Sequence, residues 1–224
     1  TKSADGIIIS RTQADDPRVR YMQEHGFPFS THGRTTIEKP HAYCDYDNAA
    51  FAKAAVRELV KRGRRKIGLL GPPLALLYAH HTNQGFREAI SEAGPGVSSF
   101  DMSPAHTDLS VKEIRDFGEM LGRSTDRPDG IVVSSALAAI GLVSGLEEAG
   151  LSFRDYDVVS KEGTMSLKWF RKDIIAINED FHDAGRHLAK SVMEVIDGAD
   201  PAQLLPDVGL GAHGHGRAPQ PPSQ

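Results

Sequence analysis

The stretch AYCDYDNAAFAKAAVRELVKRGRRKIGLLGPPLALLYAHHTNQGFREAISEA, residues 42–93, reads as helix, strand, loop and helix in succession. Asp47 and Asn48 are good N-cap residues, because a short side-chain oxygen can accept from the orphan N–H groups of a first helical turn. Behind them Phe51, Ala55, Val56, Leu59 and Val60 recur at helical spacing and draw an apolar stripe down one face. Gly63 ends that helix. Ile67 to Leu70 is short, continuous and apolar, the pattern of a strand covered on both faces. Gly71-Pro72-Pro73 then breaks it before a second helix that carries Phe86, Ile90 and Ala93.

The same alternation extends in both directions. Asp5 to Ser10 is a buried-strand pattern, Asp15-Asp16-Pro17 opens a helix to about His25, Gly26 ends it, and Phe27 to His32 is the next strand. Residues 33–40 form a polar turn and residues 42–45 a short extended piece. Downstream, strands are expected at 97–101, 130–134, 157–160 and 174–178, and helices at 109–121, 137–149 and 180–196, with a short helix or turn at 164–171. Strand–helix alternation of this kind builds parallel sheets with right-handed crossovers, so the fold class is α/β. The end, GAHGHGRAPQPPSQ at 211–224, has the composition of a disordered tail.

Bulk properties narrow the function. A chain of 224 residues, 39% hydrophobic and 25% charged, is ordinary globular material, and no apolar run approaches the roughly 18 residues of a membrane span. Lys and Arg total 26 against 30 Asp and Glu, a formal charge of −4, so the chain lacks the basic excess of a module that grips phosphates unaided. The single Cys44 excludes an internal disulfide, and a cytoplasmic location is expected. No Gly-x-Ser-x-Gly elbow, phosphate-cradling Gly-x-x-x-x-Gly-Lys, His-Glu-x-x-His or Gly-x-Gly-x-x-Gly after a strand is present, which argues against an enzyme and against any cofactor. Lys61 to Lys66 is basic, but cations at a helix C-terminus suit the dipole and stay solvated. His80 and His81 are helix neighbours that diverge, and His213 and His215 lie in the tail, so no metal site is expected.

The segments YDNAAFAKAAVRELVKRGRRKIGLLGPP (46–73) and YAHHTNQGFREAISEAG (78–94) resemble the LacI/GalR family of bacterial transcription regulators, specifically its sugar-binding core. The likeness lies in an Asp-Asn helix start, a Gly-Arg-Arg-Lys-Ile turn into a strand, a Gly-Pro-Pro loop and a Tyr-Ala…Gly-Phe-Arg helix. It implies two Rossmann-like parallel-sheet subdomains of the periplasmic-binding-protein type I kind, the N-terminal one incomplete in this chain. Residues 1–71 plus 179–199 would form the N-terminal subdomain and 72–178 plus 200–210 the C-terminal one, with a last strand near residues 202–205. The resemblance further implies a ligand-responsive regulator, repression being the expected mode, that senses a small sugar or polyol. Operator DNA would be bound as a homodimer through a helix-turn-helix lying upstream of Thr1. The alternative is a periplasmic sugar-binding protein of a transporter, since the processed form would also lack a leader.

Ligand would lie in the cleft between the halves, where strand C-termini and helix N-termini meet. The resemblance assigns Asp47 to sugar hydroxyls, beside its plain role as N-cap. It places an Arg where this chain has Thr82, a departure that removes a bidentate donor. Ser135 stands where relatives carry Asn-Asp and Glu162 where they carry Asp, with an unusual Lys161 beside it. Glu179 and Phe181 match a crossover that lines the pocket. From position alone, Tyr78 could stack on a sugar ring or pack at its helix start. Arg11, directly after a buried strand, could reach over the cleft or pair with Asp15 or Asp16.

Overall fold

A computed structural model describes residues 3–204, and these build two parallel sheets. The first has three strands, β1 (Ile7–Ser10), β2 (Phe29–His32) and β3 (Ala42–Cys44), in that order. Helix α1 (Pro17–Glu24) and helix α7 (Phe181–Ile196) serve this sheet. Asp16 caps α1 by accepting from the Arg18 amide, and Pro17 sits in the first turn, where its missing N–H costs nothing. Ile9, Val19 and Phe29 form the small core beneath α1, and on the other side Ser30 Oγ donates to the Leu188 carbonyl of α7 at 3.1 Å.

The second sheet has five strands in the order β5 (Ser98–Phe100), β4 (Lys66–Leu70), β6 (Gly130–Val133), β7 (Asp157–Glu162) and β8 (Ile175–Asn178). Its inner strands β4 and β6 are apolar on both faces because helices cover both, whereas the edge strand β5 exposes Ser98 and Ser99. α2 (Asn48–Lys61) and α3 (Leu77–Glu92) bury Phe51, Val56, Leu59 and Phe86 against Ile67, Val132 and Val159. α4 (Val111–Arg123) and α5 (Ala136–Glu148) bury Ile114, Leu121, Leu142 and Leu146 against Ile131, Val133 and Val158 on the opposite face. Alternate residues of β6 and β7 thus feed two separate cores, each fully buried large side chain contributing about 1.5–3 kcal/mol. Residues 166–170 form the short helix α6 (Ser166–Phe170).

Two expectations about organisation are corrected. The sheets divide the chain after β3 rather than at residue 71, because β4 pairs on one edge with β5 and on the other with β6. Near residues 202–205 there is no strand among the described positions: Pro201–Gln203 is a 3-10 turn capped by Asp200, whose carboxylate accepts from the Ala202 amide, and Pro201 has no N–H to give a ladder. The tail expected at 211–224 lies outside the described residues.

Candidate functional site

The strand C-termini of both sheets open on one cavity of about 630 Å³, within the usual range of about 300–1,000 Å³ for ligand clefts. The first sheet sends Ser10, Arg11, His32 and Gly33 to it, and the second sends Ser134, Lys161 and Glu162. Asp45, Tyr46 and Asn48 enter from the junction of β3 and α2, Tyr78 from α3, and Glu179 and Phe181 from the crossover into α7.

A chain of polar contacts crosses its floor. Lys161 Nζ lies 3.0 Å from Asn48 Oδ1 and 3.1 Å from Glu179 Oε2, and 5.1 and 5.6 Å from the ring centres of Tyr46 and Tyr78. Glu179 Oε1 is 3.3 Å from His32 Nε2. Burial pushes the Glu179 carboxyl upward, but the bond from His32 and the charge of Lys161 outweigh it and hold the group below its ordinary value. Phe181 stands edge-on to His32 with ring centres 6.1 Å apart. Its ring lies so close over Gly163 that a Cβ there would overlap it, which explains the glycine in that turn.

Of the positions expected to line a site, Arg11, Tyr78, Ser135, Glu162, Glu179 and Phe181 face this cavity. Asp47 and Thr82 do not. Asp47 caps α2, its Oδ1 accepting from the Ala50 amide at 2.7 Å, and its neighbours Asp45 and Asn48 take the cavity wall instead. Thr82 is fully buried between α3 and its surroundings and donates to the Tyr78 carbonyl at 2.8 Å. Arg11 pairs with neither Asp15 nor Asp16, which hold Arg20 and Arg18. Its backbone is left-handed at φ 58°, and this turns the guanidinium across to Asp108, beyond β5 of the other sheet, with Nη1 3.0 Å from Oδ1. Glu162 is the last residue of β7 rather than a loop residue, and its Oε1 accepts from Ser166 Oγ and the Leu167 amide, both at 2.8 Å, at the start of α6. Ser135 Oγ accepts from the Ala138 amide and so caps α5.

Sequence reasoning missed His32, Asn48 and Ser134, and treated Lys161 only as unusual. A signal existed for three of them: His32, Ser134 and Lys161 stand at or just beyond the C-terminal end of a strand, where ligands of open parallel sheets bind.

Against β2 of the first sheet, His41 is 5% exposed, stacks on Phe29 and lies 3.1 Å from Thr31 Oγ1. Burial pulls its imidazole below the ordinary 6.5, against a smaller pull upward from Asp16. A depressed folded value means that protonation favours the unfolded chain, so stability is complete above pH 6.5 and declines as pH falls through the folded value. Glu179 adds a second loss below about pH 4.5. The Tm, followed by circular dichroism, is expected to drop steadily from pH 7 to 5, and His41→Phe to flatten that segment. An unchanged slope in the variant would assign it to other groups.

Residues 1–211 match the family described as periplasmic binding proteins and sugar binding domain of LacI family. The HTH-type transcriptional regulator RafR of Escherichia coli is 28% identical over 91% of this chain and 60% of its own length. AglR of Rhizobium meliloti, also an HTH-type transcriptional regulator, is 26% identical over 91% of this chain and 58% of its length, so the chain spans about 60% of these relatives. The solved complex of transcriptional regulator CelR with cellobiose superimposes with a TM-score of 0.78 at 23% identity, covering 91% of this chain and 63% of that one. The two parallel sheets, the cavity at their strand C-termini and the match over residues 1–211 lead to one assignment: the chain belongs to the family of periplasmic binding proteins and LacI-type sugar-binding domains.

Proposed function

We propose that the chain is the effector-binding and dimerisation core of a cytoplasmic, ligand-responsive transcription regulator, with a small neutral saccharide or polyol as effector and no catalytic role. The observation that carries this is the cavity at the seam of the two sheets, lined from both. A ligand that touches both units binds one relative orientation better than another, and that difference in affinity is the whole of its leverage on a distant DNA-reading segment. The two units are taken as β1–β3 with α1 and α7, and residues 48–178. The names of the relatives, HTH-type transcriptional regulators, support the regulator over a transporter's binding protein. The cellobiose bound by CelR supports a saccharide.

A neutral effector is supported by the pairing of most charges on the wall: Arg34 Nε holds Asp45 at 2.6 Å, Asp108 holds Arg11 and Lys161 holds Glu179, while Glu162 accepts from Ser166 and the Leu167 amide at the start of α6. Homodimerisation is supported by Trp169 and Phe170, 69% and 78% exposed beside the half-exposed Met165, an apolar face that a second copy would cover.

A thermal-shift screen of mono- and disaccharides tests the reading. At about 100 times its Kd a true effector adds about 2.7 kcal/mol, which is roughly 5–10 °C in a chain of this size. No shift with any saccharide, in a protein that melts cooperatively, sinks the assignment. Sedimentation velocity on the same sample at tens of micromolar is expected to show a dimer, and a monomer there removes that part.

A further inference from the structure

The floor of the cavity holds three carboxylates, Asp45, Glu162 and Glu179, and they differ in what stands beside them. Glu162 Oε1 is taken by the start of α6 and Asp45 Oδ2 by Arg34, and neither carboxylate has an ion-pair partner among the residues that line the cavity. Glu179 differs. Each of its oxygens has one protein partner, His32 on Oε1 and Lys161 on Oε2, and each oxygen carries two lone pairs, so acceptor capacity remains on both. The ammonium of Lys161 has three N–H donors, of which Asn48 and Glu179 take two. One donor and one acceptor therefore stand free next to each other, on groups 3.1 Å apart and with side chains only 13% and 5% exposed.

We propose that Lys161 and Glu179 together read a vicinal diol of a pyranose, one hydroxyl accepting from the ammonium while its neighbour donates to the carboxylate; this rests on the saccharide reading above. A lone ammonium would favour any anion, and a lone carboxylate any cation. The pair has no net charge and offers complementary polarity at the spacing of adjacent hydroxyl oxygens, so it selects a neutral diol over either ion. Two neighbours complete the subsite. Ser134 Oγ is buried without a hydrogen-bond partner on the same wall and supplies a further polar contact. The half-exposed ring of Phe181, beside His32, offers an apolar face for the sugar's C–H surface.

The location also gives the pair a coupling role. Lys161 belongs to β7 of the second sheet, His32 to β2 of the first, and Glu179 to the crossover that joins them. A diol seated on Lys161 and Glu179 bears on contacts that tie one sheet to the other, so recognition and orientation share the same atoms.

Calorimetry on the full 224-residue chain tests this with cellobiose, maltose, melibiose and raffinose as probes, followed by singly deoxygenated and singly fluorinated forms of the saccharide that binds. Two adjacent positions are expected to stand out, each deoxygenation weakening binding about tenfold or more. Fluorine accepts weakly but cannot donate, so it restores part of the affinity at the position facing Lys161 and none at the one facing Glu179. Lys161→Met and Glu179→Gln should each lose about tenfold or more, and Lys161→Met should no longer distinguish the deoxy sugar at its own position. Uniform penalties around the ring, or variants with wild-type affinity, overturn the diol while leaving a saccharide site in place. Binding of no probe by a folded chain overturns both. If either variant fails to fold, the analogue series on the unmodified protein decides alone.

Discussion

Gly145→Ala is expected to destabilise the chain by about 2 kcal/mol, although alanine is intrinsically the better helix former. Gly145 lies inside α5 where it crosses α4, and a methyl group there would overlap the Arg115 carbonyl and come within 2.6 Å of the Glu119 amide. Neither backbone group can move without breaking a helix. Gly118, on the facing helix, would likewise strike the Leu142 carbonyl, so the two helices meet through a matched pair of glycines. The propensity gain of Gly to Ala is about 1 kcal/mol, and overpacking a rigid backbone contact costs about 1–3 kcal/mol and sometimes more, so the clash wins. Gly185 in α7 has nothing within 4 Å of an added Cβ, and there the same substitution should stabilise by about 0.5–1 kcal/mol. Urea titrations of both variants check the pair of signs; a neutral Gly145→Ala would mean that the helices separate more readily than their packing implies.

Glu179→Ala is expected to cost about 3 kcal/mol and to remove saccharide binding. Deleting one member of a buried ion pair typically costs about 3–5 kcal/mol, because the remaining charge stays in low dielectric without its partner. The lower end applies here. Lys161 is 13% exposed at the side chain and keeps its bond to Asn48 and its place between Tyr46 and Tyr78, which softens the loss. Glu179→Gln retains the shape and one acceptor and should recover at least half of the stability. Equal loss in both variants, measured by chemical denaturation at pH 7.5, would assign the effect to charge alone, and no loss in either would show that the pair does not hold the sheets together.

Much of the architecture was legible because its causes are local. The stripe from Phe51 to Val60 and the uninterrupted Ile67–Leu70 run name their own elements, and Gly63 and the Gly-Pro-Pro loop mark where they stop. What periodicity does not carry is which sheet a strand joins. A run apolar on both faces fits the middle of either sheet, and only the pairing with β5 and β6 places β4 in the second. The cavity was legible in part for the same reason. Arg11, Tyr78, Ser135, Glu162, Glu179 and Phe181 sit at element ends, which sequence can locate. Asp47 is also at an element end, but its Oδ1 caps the Ala50 amide and its neighbours Asp45 and Asn48 take the cavity wall instead. Thr82 is one helical turn beyond Tyr78 and faces inward, a difference of rotation that spacing from a Gly-Phe pair does not reveal. Asp108, the partner of Arg11, is 97 residues away in sequence, and no local pattern joins them.

The division of the chain after β3 also orders events in time. Residues 48–178 are contiguous and contain one complete five-stranded sheet with helices on both faces, so nearly all the closures needed to form it are short. The three-stranded sheet is assembled from two remote pieces, β1 to β3 and α7, and α7 is synthesised last; Ser30 meets Leu188 only across a separation of 158 residues. Loop-closure entropy then makes the contiguous half the earlier to form and the template on which the split half closes, with the completed cavity appearing only at that final docking step.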